Sequence, residues 1–280
     1  MKISKENLQL RKINGPKITM LTCYDYPTAK LLDECGIDVL LIGDSVGTNI
    51  LGYSDVSMVT VSDIVHHLKA VARGAKKSFI LGDMPFGSFK TQTLALENAR
   101  LFMQAGADGV KIETEKESIE TIAHVASSGI PVCAHIGYTP QTPGLSASVQ
   151  GKDIERAQEL IALARQSEKA GAFMIVLELI PEKLSRLITD LLTIPTIGIG
   201  AGRYCDGQVQ VILDTLGLSE KIFRHAKKYA EGSELIKDAA TQYIYEVHNG
   251  IFPAEKNSAP MPDDVFNALS HSFSKKAAAL

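Results

Sequence analysis

The sequence predicts an α/β chain, specifically a (β/α)8 barrel, and three observations predict it. Short apolar runs alternate with amphipathic segments along most of the 280 residues, the pattern of parallel strands covered by helices. Several of the amphipathic segments are followed by a glycine (Gly36, Gly74, Gly106, Gly171), where helices commonly end in a left-handed residue. The apolar runs give way at their carboxyl ends to polar residues, and that end of an α/β sheet is where ligands bind.

In order, residues 17–22 read as the first strand and 27–35 as the first covering helix. Strands are expected at 38–42, 78–81, 109–113, 131–135, 173–178 and 195–200, with helices at 60–73, 93–104, 115–127, 153–169 and 182–192. An eighth strand is expected at 221–225, short and polar, before a helix at 233–248. An open doubly wound sheet is the alternative arrangement of the same pattern. The barrel domain is expected over 1–256, and the tail 257–280, with no sustained core pattern, is expected to carry a short helix or be mobile. The stretches 47–59 and 137–151 are longer than usual barrel connections and follow strand carboxyl ends, so both are expected over the mouth as lids.

Composition narrows the function classes. The formal net charge is −3, which implies no general attraction to nucleic acid or to an anionic membrane. No apolar run approaches the ~20 residues of a membrane span, and the first residues lack the apolar core of a signal peptide. The four cysteines, Cys23, Cys35, Cys133 and Cys205, form no CxxC pair. Free thiols in a reducing compartment are therefore expected, and with them a cytoplasmic location.

The candidate chemistry lies at the strand ends: Asp44 and Ser45, Asp83, Lys111 and Glu113, His135, and Glu178. Three or more carboxylates and a lysine on one rim exceed what packing requires. Acids held that close repel one another unless a cation lies between them, and an all-oxygen donor set favours a hard ion such as Mg²⁺. Each residue also has a plainer reading. Asp44 and Asp83 could cap the following helices, Lys111 and Glu113 could form a structural ion pair on one strand face, and His135 could be a satisfied core histidine. Glu178 is either paired or desolvated, and a desolvated glutamate makes a credible general base. The Gly198–Ile199–Gly200–Ala201–Gly202 segment could offer backbone N–H groups to an anion or form a tight turn at the rim.

Seven motifs, in order, resemble the ketopantoate hydroxymethyltransferase (3-methyl-2-oxobutanoate hydroxymethyltransferase) family. They are Thr22-Cys23-Tyr24-Asp25-Tyr26-Pro27, Gly43-Asp44-Ser45-Val46-Gly47 with Leu51-Gly52-Tyr53, Gly82-Asp83-Met84-Pro85-Phe86, Val110-Lys111-Ile112-Glu113, Ala134-His135-Ile136-Gly137-Tyr138-Thr139-Pro140-Gln141, Val176-Leu177-Glu178, and Ile197-Gly198-Ile199-Gly200-Ala201-Gly202 through Asp206-Gly207-Gln208. The resemblance implies a TIM barrel of the phosphoenolpyruvate/pyruvate superfamily and a homo-oligomer, typically a decamer. It implies transfer of the one-carbon unit of 5,10-methylenetetrahydrofolate to 3-methyl-2-oxobutanoate in pantothenate biosynthesis. It further implies Asp44, Asp83 and Glu113 toward Mg²⁺, with Asp44, Ser45, Asp83 and Lys111 toward the keto acid. Glu178 would be the proton acceptor, and His135 would line the site. The chain departs from the family pattern in a shorter segment at 142–151, in Thr114 after Glu113, and in Leu179-Ile180 after Glu178. The alternatives are another Mg²⁺-dependent 2-keto acid mutase or lyase of that superfamily, or an inactive barrel serving as a scaffold.

Overall fold

The computed structural model describes residues 1–142, 144, 147–221 and 223–277. Eight parallel strands close into a barrel in sequence order: β1 (Ile18–Thr22), β2 (Val39–Ile42), β3 (Phe79–Asp83), β4 (Gly109–Glu113), β5 (Val132–Gly137), β6 (Met174–Glu178), β7 (Thr196–Ile199) and β8 (Gly207–Gln210). Helices α2 (Tyr26–Cys35), α4 (Val61–Gly74), α5 (Gln92–Ala105), α6 (Ile119–Ser127), α7 (Ile154–Lys169) and α8 (Glu182–Leu191) cover the strands; α3 (Val46–Asn49) and α9 (Ile212–Leu216) are short, and α1 (Lys5–Asn14) precedes the barrel.

Local chemistry sets the helix ends. Asp25, Thr60, Thr91 and Asp153 cap their helices by accepting from a backbone N–H, which satisfies donors that have no partner within the helix. Gly36 and Gly106 close α2 and α5 at φ 84° and 105°. These are left-handed values that glycine adopts without a Cβ penalty.

Strand alternation divides the apolar residues into two cores. Inward residues such as Met20, Val39, Leu41, Phe79, Leu81, Met174 and Val176 fill the barrel together with Leu8 of α1. Outward residues such as Leu40, Ile42, Val110, Ile112, Ile175 and Leu177 pack under the helices. The N-terminal segment thus has a structural use that its alternating charge concealed.

One expectation is corrected. The eighth strand is Gly207–Gln210, not 221–225, and it pairs with β7 at Ile197–Gly207 and with β1 from Ile18–Gly207 to Leu21–Gln210. The link 200–206 carries no helix. Gly207 is required there, because a Cβ would meet the Ile18 carbonyl oxygen at 2.5 Å and Ile197 Cδ1 at 2.6 Å. Among the described residues, 221 and 223–225 contain no strand, and Ile222 lies outside them. The compact unit holding the barrel spans Met1–Ala230, and residues 231–280 form a second unit. That unit contains α10 (Gly232–His248), the expected helix, and α11 (Asp263–Ala277) within the tail. Residues 278–280, and Pro143, Leu145 and Ser146 of the second long loop, lie outside the described residues.

Candidate active site

The alternation that fills the barrel also builds the site. Asp83 continues the inward face of Phe79 and Leu81, His135 that of Cys133, and Glu178 that of Met174 and Val176, while Lys111 and Glu113 share one face of β4. The inward residues at the carboxyl end of the barrel are therefore polar and ionisable. All the expected site residues, Asp44, Ser45, Asp83, Lys111, Glu113, His135 and Glu178, line one cavity of about 130 Å³. The long loops contribute Val56 and Pro140 to its wall, so both reach the mouth as expected.

Lys111 Nζ donates to both Asp83 carboxylate oxygens at 2.7 Å, and the Asp44 backbone N–H donates to Asp83 Oδ2 at 3.2 Å. The helix-capping alternative fails for Asp44 and Asp83: α3 has no side-chain cap, and Thr91 caps α5. Lys111 pairs with Asp83 rather than with Glu113, so the alternative of a structural pair within one strand gives way to a pair between strands. His135 Nε2 lies 3.2 Å from Glu178 Oε2 and Nδ1 lies 3.7 Å from Glu113 Oε1. Neither ring nitrogen makes a well-aligned hydrogen bond, so His135 is not a satisfied core residue.

Burial pushes the Asp83 carboxyl up to about 7, with Lys111 opposing the rise and Asp44 adding to it. Burial also raises Glu113 well above its usual range. Burial lowers His135 well below its usual value, and the Lys111 charge lowers it further, so the ring is neutral at physiological pH. For Lys111, burial acts downward but Asp83, Asp44 and Glu113 prevail and hold it charged. Glu178 keeps 19% of its side chain accessible; desolvation in the barrel mouth nevertheless pushes its carboxyl up to about 7. The next residue, Leu179, has φ 48°, an uncommon value for a non-glycine residue. It turns the chain sharply after Glu178, with its N–H on Ile199 O at 2.9 Å and its carbonyl accepting from Gln150 N–H at 2.7 Å.

Two site residues lay in the motifs unassigned. Tyr24, fully buried, shares a hydrogen bond of 2.9 Å with Ser45 Oγ and fixes that hydroxyl. Gln141 donates from Nε2 to Asp44 Oδ2 at 2.9 Å and to the Met84 carbonyl at 3.0 Å, while its backbone N–H donates to Glu113 Oε2 at 3.1 Å. No charge or spacing in the sequence marks Gln141, because its loop also carries Gln150 and several hydroxyl residues. The glycine segment at 198–202 turns the chain out of β7, with Gly200 at φ 63° and Gly202 at φ 80°.

The donor set suits a hard cation. Three buried carboxylates face one lysine, and Glu113 Oε1 and Gln141 Oε1 are buried acceptors without a donor. Among the described residues no three His, Cys, Asp or Glu side chains form a complete metal cluster. A cation here would take two carboxylates with water and substrate oxygens, which is the habit of Mg²⁺ rather than of Zn²⁺.

The closed barrel is shared with solved structures of low sequence identity. A 2,3-dimethylmalate lyase, described as a PEP mutase/isocitrate lyase superfamily member, superposes with TM-score 0.58 and 15% identity over 100% of both chains. A phosphonopyruvate hydrolase complex with oxalate and Mg²⁺ superposes with TM-score 0.61 and 13% identity over 99% of both. Residues 2–255 match the family described as ketopantoate hydroxymethyltransferase. The 3-methyl-2-oxobutanoate hydroxymethyltransferase of Acetivibrio thermocellus is 48% identical over 263 residues, covering 92% of this chain and 93% of that protein. The chain belongs to the ketopantoate hydroxymethyltransferase family.

Proposed function

We propose that this chain converts 3-methyl-2-oxobutanoate, 5,10-methylenetetrahydrofolate and one water to 2-dehydropantoate and tetrahydrofolate. The observation that carries this reading is a carboxyl with its pKa raised to about 7, Glu178, lining the same small cavity as the Lys111–Asp83 pair. A base and a cationic site around one carbon acid are what abstraction of a proton next to a carbonyl requires. The cavity holds about four waters at ~30 Å³ each, enough room for a short branched keto acid. Asp44 and Asp83 would hold Mg²⁺, with Glu113 completing the site directly or through water. When bound, the ion supplies positive charge for the substrate carboxylate and keto oxygens.

The remaining work falls to side chains. Ser45, oriented by Tyr24, donates to the substrate carboxylate. Lys111 faces the oxygen on which enolate charge develops. Glu178 takes the C3 proton, with neutral His135 beside it at 3.2 Å. The resulting C3 nucleophile attacks the methylene carbon released from folate nitrogen, and water supplies the new hydroxyl oxygen. Among the described residues no helix is long and apolar enough to cross a membrane. The same reading places the protein in the cytoplasm as a homodecamer. Unpaired cysteines support the compartment, and apolar side chains left in solvent on α10 and α11, such as Leu235, Ile244 and Phe266, support association.

The test is exchange of the C3 proton of 3-methyl-2-oxobutanoate in D₂O, with and without Mg²⁺, alongside hydroxymethyl transfer from the folate. Metal-dependent exchange together with transfer is expected. Exchange without transfer would favour a different keto-acid enzyme, and no exchange with any divalent metal, even with the folate present, would favour an inactive barrel.

A further inference from the structure

A second cavity, of about 280 Å³, adjoins the first, and Glu113 lines both. Its lining comes from the segments that follow β3, β4 and β5. Phe86, Phe89 and Lys90 come from the first, Glu115 and Glu117 from the second, and Gln141 from the third. The chemistry is divided by position. Phe86 and Phe89 supply an aromatic flank. Glu115, Glu117 and the buried Gln141 carboxamide oxygen supply acceptors, and the last has no donor among the described residues. Lys90 Nζ lies 5.4 Å from the centre of the Phe86 ring and, among the described residues, supplies the one lining cation. Gln141 also bonds Asp44, so it belongs to the wall between this cavity and the acid cluster.

An acceptor-rich, aromatic-flanked cavity with a lysine beside its aromatic flank selects a flat head rich in N–H donors that carries an anionic tail. It disfavours a small anion, because Glu115 and Glu117 repel one. We propose that this cavity seats the reduced pterin head of the folate co-substrate, with its ring against Phe86 and Phe89. The pterin N–H and amino groups would donate to the acidic side chains and to Gln141 Oε1, and the glutamate carboxylates would run outward over Lys90. The volume lies just below the ~300–1,000 Å³ of sites that enclose a whole drug-sized ligand, so it takes the bicyclic head and leaves the tail outside. Base–aromatic and charge-assisted contacts of these kinds are worth enough to set affinity. This proposal rests on the transferase reading above, and it divides the two substrates between two adjoining cavities.

The experiment compares wild type with Phe86→Ala, Glu117→Gln, Lys90→Ala and, on the other side of the barrel, Arg224→Ala. Calorimetry gives Kd for tetrahydrofolate and for 6-methyltetrahydropterin, which lacks the tail; steady-state rates give KM for 5,10-methylenetetrahydrofolate. C3 exchange without folate monitors the first cavity and the integrity of the fold. Phe86→Ala and Glu117→Gln are expected to raise folate KM and both Kd values tenfold or more, with exchange within twofold of wild type. Lys90→Ala should weaken tetrahydrofolate about fivefold and leave the tailless pterin unchanged. Unchanged folate parameters in Phe86→Ala and Glu117→Gln, or a loss of folate affinity confined to Arg224→Ala, would overturn this assignment while leaving the transferase reading intact. A wild type that neither exchanges C3 nor transfers carbon would instead overturn the reading on which it rests.

Discussion

Glu178→Gln is the substitution that separates general-base chemistry from mere binding. The exchange keeps the size and polarity of the side chain beside His135 but removes the proposed proton acceptor. Loss of a positioned base costs about 10²–10⁴ in rate, or about 2.7–5.4 kcal/mol at ~1.36 kcal/mol per decade. The structure also sets the pH dependence. With Glu178 at about 7, roughly half of the carboxyls are ionised at pH 7, about a tenth at pH 6 and about nine-tenths at pH 8. If Glu178 is the base, its ionised form is the active one, so the rate is expected to fall as pH falls below the raised value. A divalent cation on the neighbouring acids favours ionisation and moves the midpoint down. The assay is loss of the C3 proton signal of 3-methyl-2-oxobutanoate in D₂O with Mg²⁺, followed by NMR from pH 5.5 to 8.5. Wild type should show a rising limb and then a plateau. A variant within threefold of wild type, or a wild-type profile that is flat across the range, would refute the assignment.

Lys111→Met removes the charged partner of Asp83 and leaves buried carboxyls facing one another. Breaking a buried pair costs about 3–5 kcal/mol, to be read by urea denaturation at pH 8. The sign with pH follows from the raised pKa of Asp83: its charged form is disfavoured in the fold, so the destabilisation should shrink at pH 5.5 as the carboxyls take protons. A constant loss at both pH values would contradict this electrostatic account. Gly82→Ala tests how tightly β3 is overlaid by helices. Its Cβ would meet the Phe102 ring at 2.8 Å and Leu68 Cδ1 at 3.2 Å, and overpacking of that kind costs about 1–3 kcal/mol. A thermal melt equal to wild type would show that the helices yield without cost.

Most of the barrel is legible in the sequence because its first seven strands are largely apolar runs, each preceded by a helical segment. β8 is the exception, for physical reasons. Gly207, Gln208, Val209 and Gln210 form a strand with one apolar side chain, and its glycine serves close approach to β1 and β7 rather than punctuation. Periodicity cannot register a strand whose packing contribution is a missing side chain. The absence of a helix in 200–206 also removed the alternation that marked every earlier strand. The apolar-poor 221–225 segment filled the expected place only because the count called for an eighth.

The site residues were legible for a complementary reason. A carboxylate or lysine at the end of an apolar run is costly unless it is used, so Asp83, Lys111, Glu113 and Glu178 stand out against their own strands. What the sequence could not express is which of them touch. Spacing put Lys111 and Glu113 on one face of β4, yet the ammonium reaches across to Asp83 on β3, because neighbouring strands in register place Asp83 opposite Lys111. That choice leaves Glu113 with a backbone N–H from Gln141 as its hydrogen-bond donor and one oxygen without a partner. Gln141 itself carried no charge to mark it, and its importance comes from joining the ends of β2, β3 and β4 to the loop after β5. The lysine pairs with one acid of the cluster, and the carboxyl oxygens of Asp44 and Glu113 remain beside it in the same cavity, which is the arrangement on which the proposed cation and keto acid site rests.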